Sequence, residues 1–318
     1  MKFFKVRSLF ILCVCGILML AGTPASGREF LSIGTGGTGG VFFPLGAAMS
    51  KILTDNMPGY DFTAEATGAS VENIRLLARD EIQLAMVFAN IAYDAAVGQG
   101  SFSNPLPIRA LFNMYPTPIH IVTPAGSGIY SIADFRGRRI GVGSPGSGNE
   151  VISRLLLSVY GLTYDDIRPE FLSIAEIMNG IRDGVVDAGI SATSFPTASI
   201  IDLCFTNPMR MIPIEEEKMA IINAENPFFT PSIIPHGIYA GIDQDTPTVA
   251  HGNYMLVLES MDEELAYNIT RLLYENRAGL EAAHSVAQQM TLEEGINVSG
   301  VEFHPGALRF WREKGLLQ

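Results

Sequence analysis

The residues of this chain that could do chemistry are mostly glycines in particular places. Gly34-Thr-Gly-Gly-Thr-Gly-Gly40 sets five glycines and two threonines between a short apolar strand at 30–33 and a helical stretch at 44–56. A glycine loop that opens a helix turns backbone N–H groups outward at the positive end of the helix dipole, and such a place binds anions. Two further helix openings share the character, Thr67-Gly-Ala-Ser70 and Ser144-Pro-Gly-Ser-Gly-Asn149. Glycine also serves plain tight turns, but five in seven residues exceed what one turn requires.

Gly34, Gly36 and Gly39 also satisfy the dinucleotide pattern G-x-G-x-x-G, with Asp55 about twenty residues on. Asp55 falls in or at the end of the first helix rather than after the second strand, so the fingerprint is discounted. The sequence contains no G-x-x-x-x-G-K-(S/T), G-x-S-x-G or H-E-x-x-H. His120, His236, His251, His284 and His304 lack metal-ligand spacing, and Cys204 sits on an apolar helix face as a filler. Asp94 and Asp187 read as a cap and a loop charge, and Arg75, Arg109 and Arg154 as surface or packing residues. No catalytic residue, metal or cofactor is expected.

The elements that hold these loops follow from hydrophobic spacing. A strand at 30–33, a helix at 44–56, a strand at 61–66, a helix opened by Ser70 as N-cap and a buried strand at 82–88 form one unit. The same layout returns at 139–191, with low identity between the copies. Alternation of this kind implies a mainly parallel sheet flanked by helices, twice over. Extended crossings near 119–123 and 248–258 then join two lobes, 28–123 with 249–318 and 124–248. In doubly wound sheets, ligands sit where such loops gather at the strand ends.

Composition limits the partners. The 318 residues carry 21 Lys+Arg against 33 Asp+Glu, a net charge of −12, which argues against nucleic acid and anionic lipid. Lys2, Lys5 and Arg7 precede an apolar run at 9–21 and then Gly22-Thr-Pro-Ala-Ser-Gly27, the layout of a cleaved secretory signal over 1–27. Its removal takes the charge to −15, carries off Cys13 and Cys15 and leaves Cys204 alone, without an intramolecular disulfide. A soluble protein of a bacterial periplasm is expected.

Ile33-Gly-Thr-Gly-Gly-Thr-Gly-Gly-Val-Phe-Phe-Pro-Leu-Gly46, Ala66-Thr-Gly-Ala-Ser-Val-Glu-Asn-Ile-Arg-Leu-Leu77, Tyr93-Asp-Ala95, Gly146-Ser-Gly148, His304-Pro-Gly-Ala307 and Trp311-Arg-Glu-Lys-Gly315 together resemble the TAXI family. These are the extracytoplasmic solute-binding subunits of tripartite (TRAP) transporters. The resemblance implies a two-lobed periplasmic-binding fold that closes on a small organic anion and delivers it to membrane permease subunits. Carried over by motif, Gly37, Thr38, Gly39, Phe42, Ser70 and Asn90 would line the cleft from the first lobe. Ser144, Gly146, Ser147, Gly148 and Asn149 would line it from the second, with Phe195 and Pro196 closing one wall.

The family often has Tyr-Tyr where this chain has Phe42-Phe43, and Gln-Ser-Asp where it has Phe88-Ala-Asn90. Losing a carboxylate removes the obvious partner of an ammonium group, and a buried unpaired charge is costly. A carboxylate without an α-amino group is therefore expected, with Asn149 free to bond a second oxygen of it. Two other readings use the same residues: a sensor or surface antigen of the same fold, and a nicotinamide-dependent oxidoreductase that would need a general base.

Overall fold

The computed structural model describes residues 28–226 and 228–318. The expected signal segment, with Cys13 and Cys15, lies outside the described residues. The first unit runs β1 (Glu29–Gly34), α1 (Phe42–Asn56), β2 (Tyr60–Glu65), α2 (Ser70–Ala78), β3 (Leu84–Phe88), α3 (Ala89–Val97) and β4 (Ile108–Asn113). The chain then crosses into β5 (Thr117–Pro124), β6 (Arg139–Gly141), α4 (Gly148–Val159), β7 (Arg168–Glu170), α5 (Ile174–Arg182) and β8 (Ala188–Ala192). It continues through α6 (Ala198–Thr206), β9 (Met209–Met211), α7 (Glu216–Glu225), β10 (Phe229–Ile234) and β11 (Thr246–His251). The return brings β12 (Asn253–Leu258), α8 (Glu263–Glu275), α9 (Arg277–Ala283), α10 (Leu292–Gly295) and α11 (Pro305–Glu313).

Among the described residues the strands form two sheets, ordered β2-β1-β3-β12-β4 and β10-β11-β5-β8-β6-β7, with β9 beside β5. The expected parallel units are present: β1 is parallel to β2 and β3, and β6 is parallel to β7 and β8. Their strand orders, β2-β1-β3 and β7-β6-β8, are the same, so the repeat read from sequence is a repeat of topology. Antiparallel pairing enters with the strands next to the crossings. β12 runs against β3 and β4, and β5 runs against β8, β9 and β11. Each sheet is thus completed by a strand that has just arrived from the other half of the chain.

The crossings themselves are shorter than expected, and the first is displaced. Residues 119–123 lie within β5 and residues 248–251 within β11, and both strands belong to the second sheet. The chain passes between sheets at Met114-Tyr115-Pro116 and again at Gly252. By sheet membership, the first lobe is 28–113 with 253–318 and the second is 117–251. An amide network ties the two crossings together. Asn113 Oδ1 accepts from Asn253 N–H at 2.8 Å, and Met114 N–H donates to the Asn253 carbonyl at 2.7 Å. The Asn253 Nδ2 group donates to the Tyr115 carbonyl at 2.7 Å.

Burial explains why these segments take these forms. β3 is buried at every residue, as a strand covered on both faces should be. α8 starts at Asp262, whose carboxylate accepts from Leu265 N–H at 2.9 Å, and turns Ile269, Leu272 and Leu273 inward. The tail motif has a packing role. His304 caps α11, and Trp311 is fully buried with its indole N–H on the Leu111 carbonyl at 3.0 Å. A Cβ on Gly306 would stand 2.1 Å from the Glu263 carbonyl, so only glycine lets α11 approach α8 this closely. No helix among the described residues is long and apolar enough to cross a membrane.

Candidate functional site

The parallel halves of the two sheets aim their helix N-termini at one another. The N-cap residues of α1, α2, α4 and α5 are Val41, Ala69, Ser147 and Ser173, two from each lobe. All four line a single cavity of about 120 Å³ between the lobes. By the same measure one water needs about 10–15 Å³, so the space suits a small metabolite. The aromatic walls are Phe42 and Phe88, which meet edge to face at 5.7 Å.

The lining contains no Asp, Glu, His, Lys, Arg or Cys. Its polar groups are backbone and the hydroxyls of Thr67, Tyr115, Thr117, Ser144, Ser147, Ser173, Thr193 and Ser194, with the Asn149 amide. Each helix N-terminus carries roughly half a positive charge on unsatisfied N–H groups. Neither Val41 nor Ala69 places a side-chain oxygen over its helix. At α4 and α5 the Ser147 and Ser173 hydroxyls accept from Glu150 and Glu176 N–H, leaving only part of each first turn to a ligand. Ala69 holds φ at +74°, in the left-handed region that a Cβ disfavours, and it does so at the cavity wall.

The lobes touch around this space. Glu72 N–H donates to the Gly146 carbonyl across the gap at 3.1 Å. A Cβ on Gly39 would stand 2.5 Å from Ala175 Cβ, and one on Gly148 would stand 2.5 Å from the Phe88 ring. Both glycines are pinch points where backbone of one lobe meets the other. The conformation is therefore a closed one.

Of the residues expected to line the cleft, the structure brings Gly37, Gly39, Phe42, Ser144, Ser147 and Asn149 to the cavity. Thr38 stands exposed at the tip of its turn, outside the lining. Ser70 is fully buried behind Ala69, where its hydroxyl accepts from Phe88 N–H at 3.1 Å. Ala69, not Ser70, is the N-cap of α2. Asn90 is half-buried on α3, its Oδ1 without a protein partner among the described residues, and it does not reach the lining. Gly146 and Gly148 make the interlobe contacts, and Phe195 and Pro196 lie just beyond Ser194.

Asn149 differs in kind from what its position suggested. Its Oδ1 accepts from Ala192 N–H at 2.5 Å and its Nδ2 donates to the Ile190 carbonyl at 2.9 Å. The amide is spent tying the second glycine loop to β8 and is not available for a second ligand oxygen. Residues that local reading missed come from elsewhere in the chain: Tyr115, Thr117, Thr193 and Ser194, with Ser173, Ile174 and Ala175 at the start of α5. Only Ser173, followed three residues later by Glu176, carried a sequence signal, that of a capping box.

The remaining chemistry-bearing groups are occupied elsewhere. Asp55 lies on α1, exposed and paired with Lys51 at 2.8 Å, far in role from a ribose ligand. Asp187 pairs with Arg139 at 2.6 Å, and that guanidinium holds its carboxyl below the usual carboxylate range. Burial pushes the Cys204 thiol up to about 11. His120 and His251 are buried on β5 and β11, and burial lowers each to about 4. Among the described residues no three His, Cys, Asp or Glu side chains cluster as a metal site.

Residues 33–315 match the NMT1-like family, and the chain belongs to it. Solved structures share the fold at low identity. PhnD1 of Prochlorococcus marinus, solved with methylphosphonate, is 9% identical with a TM-score of 0.56 over 91% of this chain and 99% of that one. A protein of Bordetella bronchiseptica is 16% identical with a TM-score of 0.53, covering 92% and 90%. GshT of Streptococcus mutans, described in glutathione import, is 14% identical with a TM-score of 0.51, covering 83% and 96%.

Proposed function

We propose that this member of the NMT1-like family is an exported solute-binding protein that captures a small organic anion between its lobes and hands it to a membrane permease. One observation carries the reading: four helix N-termini, two from each lobe, cap a cavity whose walls hold no charged side chain. Such a site stabilises a negative charge by oriented N–H dipoles and hydroxyls without a balancing cation. The fold shared with PhnD1 and GshT, which handle small solutes, supports the same class.

The mechanism follows from the two short crossings. Rotation about Met114-Tyr115-Pro116 and Gly252 opens the cleft, and the anion enters against the first-lobe loop. Closure brings Ser144, Ser147 and Ser173 onto it, seats Gly148 on Phe88 and forms the Glu72–Gly146 bond. Water leaves, and hydrogen bonds to the bound charge strengthen in the lower dielectric. The resemblance of the glycine-loop motifs to TAXI proteins supports a tripartite permease as the acceptor and a carboxylate as the cargo. With no carboxylate in the wall, an α-ammonium group would be buried unpaired, so acids lacking one are favoured over amino acids.

The test is a thermal-shift screen of the exported protein, unfolded and refolded to strip any bound ligand. The panel holds carboxylic acids, amino acids and nicotinamide cofactors. Ligand at a hundred times its Kd adds about 2.7 kcal/mol, a shift of several degrees. A shift with organic acids and none with glutamate or NAD is expected. A shift with NAD alone, or equal shifts with glutamate and its deaminated analogues, would overturn it.

A further inference from the structure

The hydroxyls of the cavity are not equivalent. Thr67 Oγ1 is bonded to Asn73 Oδ1 at 2.6 Å, Thr193 Oγ1 to Thr197 Oγ1 at 3.0 Å, and Thr117 Oγ1 accepts from Asn253 Nδ2 at 2.5 Å. Ser147 and Ser173 cap their helices, and Ser144 is half-exposed. Two remain. Tyr115 Oη and Ser194 Oγ are buried, their residues 1% exposed, and neither meets a protein partner among the described residues. Both residues line the cavity.

They also lie at one end of it. Tyr115 is in the first crossing, and Thr193, next to Ser194, donates its N–H to the Pro118 carbonyl at 3.3 Å. Both residues therefore sit beside the first crossing, on the hinge side of the cleft, whereas the N-caps of α1, α2, α4 and α5 stand on the lobes. A buried hydroxyl without a partner is destabilising and is rarely retained unless something completes it.

We propose that Tyr115 and Ser194 form a second polar subsite, which reads an uncharged oxygen at the far end of the bound anion. This deepens the solute-binding reading and rests on it. The ligand class it selects is a monoanionic acid bearing a distal hydroxyl, carbonyl or amide group. A second full charge is disfavoured there, because the subsite offers hydroxyls and no cation. The hydroxyls are donors as well as acceptors, so each can donate to an uncharged oxygen of the ligand or accept from an amide.

The experiment uses matched probes on the stripped, refolded protein: pentanoate, 5-hydroxypentanoate, glutaramate and glutarate, with their four- and six-carbon counterparts. Titration calorimetry is run on wild type, Tyr115→Phe and Ser194→Ala. In wild type the hydroxy acid or the amide is expected to bind about tenfold more tightly than the plain acid of the same length, and more tightly than the diacid. Each substitution should erase most of that preference, weakening the hydroxy acid and the amide more than the plain acid of the same length. Melting of the ligand-free variants should be unchanged or raised, since no protein bond is lost. An unchanged preference in both variants overturns the subsite while plain-acid binding keeps the solute-binding reading intact. A ligand-free Tyr115→Phe protein that melts several degrees lower overturns it too, by showing that the hydroxyl is bonded within the protein. Absence of binding by every acid removes the solute reading and the subsite with it.

Discussion

The two glycine loops that face each other across the cleft use glycine for different physical reasons. In the first loop no glycine has a positive φ. Two of them, Gly34 and Gly39, are needed for room: a Cβ would stand 2.4 Å from Ile82 at Gly34 and 2.5 Å from Ala175 at Gly39. In the second loop Gly143 and Gly146 sit at φ +103° and +76°, which a side chain rarely tolerates. The second loop is also fastened, by the Ser147 cap and by Asn149 bonding to β8. The first leads into a helix with no side-chain cap. One loop is a fixed wall, and the other leaves its N–H groups for whatever the cleft closes on.

The largest consequence is for folding. Gly143→Ala forces a Cβ to 2.7 Å from Asn149 Nδ2 and 2.8 Å from Glu150 N at a left-handed φ. A loss on the order of 3 kcal/mol is expected, seen as a drop of several degrees in melting without ligand. Gly37→Ala, with ordinary φ and its nearest neighbour at 3.6 Å, should melt close to wild type. Equal losses at both positions would erase the distinction between the loops.

Acid should act next most strongly, and on the second sheet. His120 and His251 lie on β5 and β11 and are held near 4 by burial, His251 with its ring 4.3 Å from Phe88. Above about 6.5 both states are neutral and nothing is lost. Below it the unfolded chain takes up protons that the folded one refuses, so stability falls as pH drops from 6.5 towards 4. Carboxylates held low, such as Asp187 beside Arg139, lose their contribution only at lower pH. Urea midpoints measured at pH 7, 6 and 5 separate these windows, and a flat profile would mean the two rings are not kept neutral.

The pinch points give a smaller, ligand-dependent effect. Gly39→Val and Gly148→Val put side chains where the lobes meet, against Ala175 and the Phe88 ring. An open cleft accommodates both, so melting without ligand should change little, while affinity for a bound acid falls roughly ten- to a hundredfold as the closed state is penalised. Weakened binding together with a matching loss of ligand-free stability would show that these glycines serve the fold rather than closure.

These contrasts also mark what the sequence could disclose. β1, its glycine loop and α1 were legible because apolar periodicity and glycine clustering are local signals. The repeat was legible for the same reason. The sheet to which 119–123 belongs was not, because a run such as Ile119 to Thr123 reads as a strand whichever sheet it joins; its pairing with β8 decides the matter. Tyr115, Thr117, Thr193 and Ser194 reach the cavity only through that long-range pairing, so no spacing announced them. Asn149 lines the cavity without offering its amide to it. Its amide turns back to the carbonyl and N–H ends of its own lobe, a choice set by three-dimensional neighbours.

The smallest expected effect concerns how an anion reaches these loops at all. Helix N-termini act within about one turn, while the whole chain carries −12 and repels an anion at longer range. No lysine or arginine lines the cavity to offset that field. Added salt should therefore speed association of a monocarboxylate, by roughly two- to threefold between low and physiological ionic strength, because screening weakens the repulsion first. Dissociation should hardly respond, since the bound charge is held by buried dipoles that salt does not reach. Stopped-flow traces at several salt concentrations separate the two rates. Association that slows with salt would place an attracting cation at the mouth, and the division between a fixed second-lobe wall and an N–H-presenting first-lobe loop would no longer account for capture.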